Sequence, residues 1–174
     1  MKEIKFIAVA NIESSIALRN DDKESVAGHV WIKYLNLETG EIQNYGYELD
    51  GSNPFYDNGK VTHYDDELYL GKSLYSASFY FDANEGEKSI KYWNDLEKDP
   101  GTYSVIWNSC VDKVIESLEV AGVSFVGLGD GNFMPMNNIV PLALMSQRQI
   151  QNTEKLLADN EAVSYTHLTL PTKA

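Results

Sequence analysis

The sequence predicts an α+β domain in which an antiparallel sheet packs against helices. Three observations point to it. Strand-like runs dominate the first half of the chain and include a clear hairpin, helical periodicity dominates the second half, and the two do not alternate as they would in an α/β fold. The chain has 174 residues, 43% of them hydrophobic and 23% charged, enough for one domain with a hydrophobic core.

Ile4 to Ile12, apolar and β-branched, reads as the first strand. Asn20 to Glu24 is a charged loop. Gly28 to Leu35 reads as a second strand and Glu41 to Leu49 as a third, joined by the turn Glu38-Thr39-Gly40. Asp50 to Lys72 is rich in Gly, Asn and Pro and is expected to be a long excursion, a place where function often sits. Ser76 to Phe81 reads as a strand, and Glu87 to Lys98 as a helix with Ile90, Trp93 and Leu96 along one side. Asp99-Pro100-Gly101 ends that helix, and Tyr103 to Trp107 is a short extended piece.

The next helix carries Val111, Val114, Ile115, Leu118 and Ala121 as one apolar stripe. Ser109 or Asn108 suits its N-cap, Asp112 its first turn and Gly122 its end. Gly127 to Gly131 reads as a flexible loop, followed by Met134 to Asn138. Pro141 to Asp159 reads as a further helix with Leu142, Met145, Ile150 and Leu157 inward.

A formal net charge of −12 repels phosphate backbones and anionic lipid. Nucleic-acid binding is therefore not expected, whereas a cationic protein partner would suit the surface. A single cysteine forms no internal disulfide, so nothing demands an oxidising compartment. The apolar run Phe6 to Ala10 is interrupted by Asn11 and Glu13 too early for a signal-peptide core, and no run is long enough to span a bilayer. The expected location is cytoplasmic, or exported without a cleavable signal peptide, with no integral membrane association.

The segment Val163 to Thr172 resembles the in-frame translation of a sequencing-library adapter. Residues 1–162 are accordingly read as a single catalytic-type domain and 163–174 as an artefactual tail, which sets His167 aside.

Chemistry centres on Trp107-Asn108-Ser109-Cys110-Val111-Asp112. Cys110 stands at the first turn of its helix, off the centre of the apolar stripe, where helix amides and a nearby imidazole favour a reactive thiolate. Amides of that turn can hold an oxyanion, with Asn108 as a further donor. The base must be a histidine, either His29 or His63. His29 lies on a strand beside Gly28 and His63 in the turn-rich excursion; a strand holds a base more rigidly, which favours His29. The group that orients the imidazole is expected on the returning strand, with Glu48 first and Tyr47 or Asp50 as alternatives; the strand register decides which side chain faces it. The competing reading is a buried thiol that only fills space.

Other features read as ordinary. The tyrosines between Tyr45 and Tyr80 suit half-buried strand positions as well as a sugar or peptide groove. Asp50 to Asn53 and Asp57 to Gly59 lack the ligand spacing of a calcium loop. Met134 and Met136 read as core filler. No metal or organic cofactor is implied.

Two segments carry a family resemblance. One is Gly28-His29-Val30-Trp31-Ile32 with Tyr45-Gly46-Tyr47; the other is Asn108-Ser109-Cys110-Val111-Asp112 through Ala121-Gly122. Together they resemble the circularly permuted branch of the NlpC/P60 papain-like superfamily, which includes the lecithin retinol acyltransferase-like proteins. The order, histidine strand before cysteine helix, is that of the permuted branch. Ser109 stands between Asn108 and Cys110, where many members have asparagine directly before cysteine, and no second histidine lies between His29 and His63. The resemblance implies a permuted papain-like cysteine hydrolase fold and activity on peptidoglycan amides, or acyl transfer on lipids and amines. It also implies that some members serve as bacterial antibacterial effectors. The expected reaction is cleavage of an amide in a cell-wall peptide by Cys110 and His29, with Glu48 as the third residue. The alternatives are an acyltransferase or lipid hydrolase acting on an acyl-containing substrate, and a non-catalytic acidic binding or immunity module.

Overall fold

The computed structural model describes residues 3–13, 28–53, 55–69, 73–124 and 135–168; the side chains of Met136 and of residues 157–168 lie outside the description. The expected α+β class is what the chain adopts: a six-stranded antiparallel sheet packed against helices. The strands are β1 (Phe6–Glu13), β2 (Val30–Asn36), β3 (Ile42–Leu49), β4 (Tyr56–Thr62), β5 (Ser73–Phe81) and β6 (Thr102–Ser104), in the spatial order β5-β1-β2-β3-β4-β6. The helices are α1 (Asp65–Leu68), α2 (Ala83–Lys98), α3 (Cys110–Val120) and α4 (Ile139–Leu168), with a 3₁₀ turn at Pro135–Asn138 before the last.

The hairpin of β2 and β3 forms as expected and pairs Trp31 with Gly46 and Ile32 with Tyr45. Side chains alternate between the faces of the sheet. One face presents Ile32, Tyr34, Tyr45 and Tyr47, all buried, to α2 and α3. On it Tyr45 stacks on Trp93 at 5.6 Å. A buried polar network ties these layers together: the Tyr34 hydroxyl meets Ser89 Oγ at 2.6 Å, Trp93 Nε1 donates to Tyr34, and Ser89 Oγ donates to the Ser117 carbonyl at 2.6 Å. Because unpaired polar groups are costly inside a core, this network fixes where α3 sits against the sheet.

The apolar stripe of α3 packs as its spacing predicts, with Val111, Val114, Ile115, Leu118 and Ala121 all buried. Ser109 is its N-cap: the Asp112 carboxylate reaches back and accepts from the Ser109 backbone N–H at 2.7 Å and from its hydroxyl at 2.8 Å. Gly122 follows its C-terminus with φ 88°. α2 starts four residues earlier than its apolar pattern indicates, because Asp82 and Glu85 form a reciprocal cap.

The excursion expected over Asp50 to Lys72 is corrected. It contains β4 and α1 rather than irregular chain. The β4 sequence Tyr56-Asp57-Asn58-Gly59-Lys60-Val61-Thr62 has little intrinsic strand preference; its pairing with β3 on one side and β6 on the other makes it a strand. α4 begins at Ile139 and buries Leu142 and Met145, and it covers β5 through bonds from Ser146 Oγ to the Ser78 carbonyl and from Tyr80 N–H to Gln149. Of residues 163–174, read as an artefactual tail, 163–168 form the end of α4 and 169–174 lie outside the described residues. The charged loop at 20–24, the glycine loop at 127–131, Met134 and the side chain of Leu157 lie outside the described residues. Among the described residues no helix is long and apolar enough to cross a membrane.

Candidate functional site

His29 stands immediately before β2, and its carbonyl accepts from the Glu13 N–H at 2.9 Å, which anchors it to β1. Gly28 enters this position with φ 81°, a conformation that L side chains rarely adopt. The ring is packed between aromatic neighbours, 6.0 Å from Trp31 and 5.2 Å from Tyr69, centroid to centroid. Only 5% of the residue is exposed.

The Nε2 atom of His29 lies 2.6 Å from Asp65 Oδ1, a buried ion-pair geometry. The Cys110 side chain lies within electrostatic reach of the same imidazole. With Nε2 committed to the carboxylate, Nδ1 is the ring nitrogen left for the sulfur. Burial alone would disfavour the imidazolium. The charge and hydrogen bond of Asp65, with the nearby Cys110, outweigh burial and hold His29 well above the ordinary histidine range. Asp65 is the counterpart: burial pushes its carboxyl up, but the charge and hydrogen bond of His29, with the Thr62 hydroxyl, bring it below the ordinary aspartate value. The balance of these effects favours an ionic pair.

Asp65 opens α1 and is fully buried. Its carboxylate lies over Gly46, where a Cβ would come within 2.5 Å of Oδ2. Thr62, paired with Gly46 across β3 and β4, donates its hydroxyl to the same Oδ2 at 2.5 Å. The next residue, Asp66, accepts from Trp31 Nε1 at 3.2 Å and from Lys33 Nζ at 3.0 Å, which docks α1 onto β2.

Cys110 is the first residue of α3 and is 2% exposed. The position at the helix start is as the sequence predicts, and the thiol is buried. Tyr103, not among the residues singled out from the sequence, lies within electrostatic reach of Cys110. Burial and the neighbouring sulfur push its phenol well above the usual range, so it stays protonated and available as a donor. Asn108, expected as an oxyanion donor, instead gives its side-chain N–H to the Thr102 carbonyl at 2.5 Å.

The structure therefore brings Cys110 and His29 together but does not place Glu48 as the third residue. The Glu48 carboxylate pairs with Lys60 at 3.2 Å and accepts from the Tyr64 hydroxyl at 2.9 Å. Tyr47 donates to the Pro100 carbonyl at 2.7 Å, on the helix-covered face, and Asp50 pairs with Lys60 at 3.7 Å. The carboxylate on His29 comes from α1, within the segment read as irregular. His63 sits elsewhere, exposed, between the Asn44 carbonyl at 2.9 Å and Glu97 at 3.0 Å. The signal for Asp65 was present in Gly46: a glycine inside a strand, between two tyrosines, marks a close approach of another group. Among the described residues no group of three or more His, Cys, Asp or Glu side chains is placed to hold a metal ion.

Chemically, the arrangement is a thiol near an imidazole whose Nε2 is held by a buried carboxylate, with helix amides beside the sulfur. No family model matches the chain, and no curated protein matches it. Among solved structures, the chain resembles the crystal structure of a type VI secretion system effector, TseH, with 18% identity and a TM-score of 0.56 over 81% of this chain and 88% of that one. At that identity the likeness establishes the fold: this chain is built on the same α+β framework as a type VI secretion system effector.

Proposed function

We propose that the chain is a permuted papain-like cysteine hydrolase that cleaves an amide bond in a bacterial cell-wall peptide. The observation that carries the reading is the His29 ring, held 2.6 Å from Asp65 and within electrostatic reach of Cys110 at the start of α3. The likeness to a type VI secretion system effector supports placing the chain among bacterial effectors.

In this reading the proton of Cys110 has passed to His29 before attack, and Asp65 stabilises that imidazolium. The thiolate forms a C–S bond with the substrate carbonyl carbon while the carbonyl electron pair moves onto oxygen. Backbone N–H groups at the start of α3 hold that oxyanion. Collapse breaks the C–N bond, and the leaving amine takes the proton from His29. His29 then deprotonates a water, which attacks the thioester; the acid leaves and the thiol is restored.

One observation favours the competing reading, a non-catalytic module for a cationic partner: the sulfur is buried, so substrate must displace covering groups to reach it. The two are separated by incubating the purified chain with a soluble peptidoglycan fragment and following products by mass spectrometry, alongside iodoacetamide labelling of the native protein. The hydrolase reading expects cleavage, labelling at Cys110, and loss of cleavage in Cys110→Ala with an unchanged thermal midpoint. An unlabelled native Cys110, or turnover retained in Cys110→Ala, overturns it.

A further inference from the structure

We infer that Thr62 is a positioning residue, whose hydroxyl holds one oxygen of Asp65 so that the other is aimed at His29. The inference rests on the hydrolase reading for its kinetic consequence, though not for its structural one.

Thr62 and Asp65 are both buried, at 2% and 0% exposure, and their side chains meet at 2.5 Å. A threonine hydroxyl has one proton to donate. Here it goes to Oδ2, while Oδ1 faces His29 Nε2 at 2.6 Å. The two bonds use different oxygens of one carboxylate, so together they fix the plane of the group and not just its distance.

The register explains how this is built. Thr62 on β4 and Gly46 on β3 are direct partners and project to the same face. Gly46 has no side chain, so the carboxylate lies flat over β3 and reaches across to Thr62; a Cβ there would come within 2.5 Å of Oδ2. Glycine supplies the space and threonine the donor. Without the hydroxyl, Oδ2 would lose its side-chain donor, and the backbone N–H of Asp65 and the His29 ring would be left to hold the carboxylate.

The surroundings of the pair are defined on each side. Asp65 from α1 and Cys110 from α3 act electrostatically on the ring, and Tyr69 packs against it. Tyr64 lies within electrostatic reach of Asp65. The backbone N–H of Asp65 also acts on the carboxylate; Thr62 is its side-chain donor at Oδ2.

The test uses Thr62→Val, which keeps the shape and removes the hydroxyl, and Thr62→Ser, which restores it. The first readout is the titration of the His29 imidazole in the full chain, followed by NMR; it needs no substrate. Thr62→Val should move that titration to lower pH, and Thr62→Ser should return it. The second readout is turnover of the peptidoglycan fragment, where Thr62→Val should lower kcat about ten- to a hundredfold with KM little changed. If the valine chain does not fold, Thr62→Ala gives the same readouts.

An unmoved His29 titration in a folded hydroxyl-free variant overturns the inference. So does equal impairment in the serine and valine variants, since shape and not the hydroxyl would then be responsible. A wild-type chain without hydrolase activity would remove the kinetic arm alone; the imidazole titration would still decide the role of Thr62.

Discussion

Gly46 is the floor beneath Asp65: a single added carbon at Gly46 would lie 2.5 Å from Oδ2 and 2.6 Å from Cγ of the carboxylate that holds His29. Asp65 is fully buried and cannot swing into solvent without dragging α1 off the sheet. Gly46→Ala is therefore expected to cost about 1–3 kcal/mol, the usual range for overpacking a filled site. It should also reduce turnover, by displacing the carboxylate from the imidazole. Urea denaturation and a cleavage assay check the two effects; wild-type stability and activity in this variant would mean that Asp65 has other room.

Asp65→Asn keeps the shape of the side chain and removes its charge. Burial then acts on His29 against Cys110 alone, so the imidazole should titrate lower than in the wild type. If the hydrolase reading holds, kcat falls about 10²–10⁴-fold, as expected when an orienting carboxylate becomes an amide. NMR titration of the ring and single-turnover kinetics test these separately. An unchanged His29 titration would show that Asp65 does not control the ring.

The ionic pair should leave a signature in stability against pH. His29 has a folded value above its unfolded one, so its contribution is complete below about pH 6.5 and is lost as pH rises through the folded value. Asp65 has a lowered folded value, so its contribution is complete above about pH 4 and is lost as pH falls through that value. The stability gap between wild type and Asp65→Asn should therefore be widest near pH 5–6 and should narrow toward pH 9. Urea midpoints at pH 5, 7 and 9 measure it; a gap that widens with pH would reverse the sign of the argument.

Glu48→Gln separates the two carboxylates. The Glu48 pair with Lys60 is partly open to solvent, with side chains 19% and 40% exposed, so its loss should cost no more than about 1 kcal/mol. Turnover should match wild type in the same cleavage assay. A large loss of activity would return Glu48 to the site and displace Asp65 from the role assigned to it.

By itself the sequence determined the elements that follow from local pattern. The apolar stripe of α3, its cap, the β2–β3 hairpin and the α+β class were all legible, because side-chain periodicity and turn chemistry act over a few residues. Cys110 and His29 stood out as candidates for the same reason: one lies at a helix start and the other beside a glycine at a strand start. What only the tertiary structure decided was the third group and the surroundings of the sulfur. Asp65 reaches His29 from 36 residues away in the chain; the strand before it, β4, forms through pairing with β3, not through intrinsic propensity, and α1 is docked onto β2 by Asp66. Glu48 and Asp65 are both acidic residues near the same hairpin, and nothing local distinguishes them. The register distinguishes them, because it puts Gly46 under one carboxylate and Lys60 beside the other. The burial of Cys110 is likewise a property of the packed chain and not of the helix that carries it.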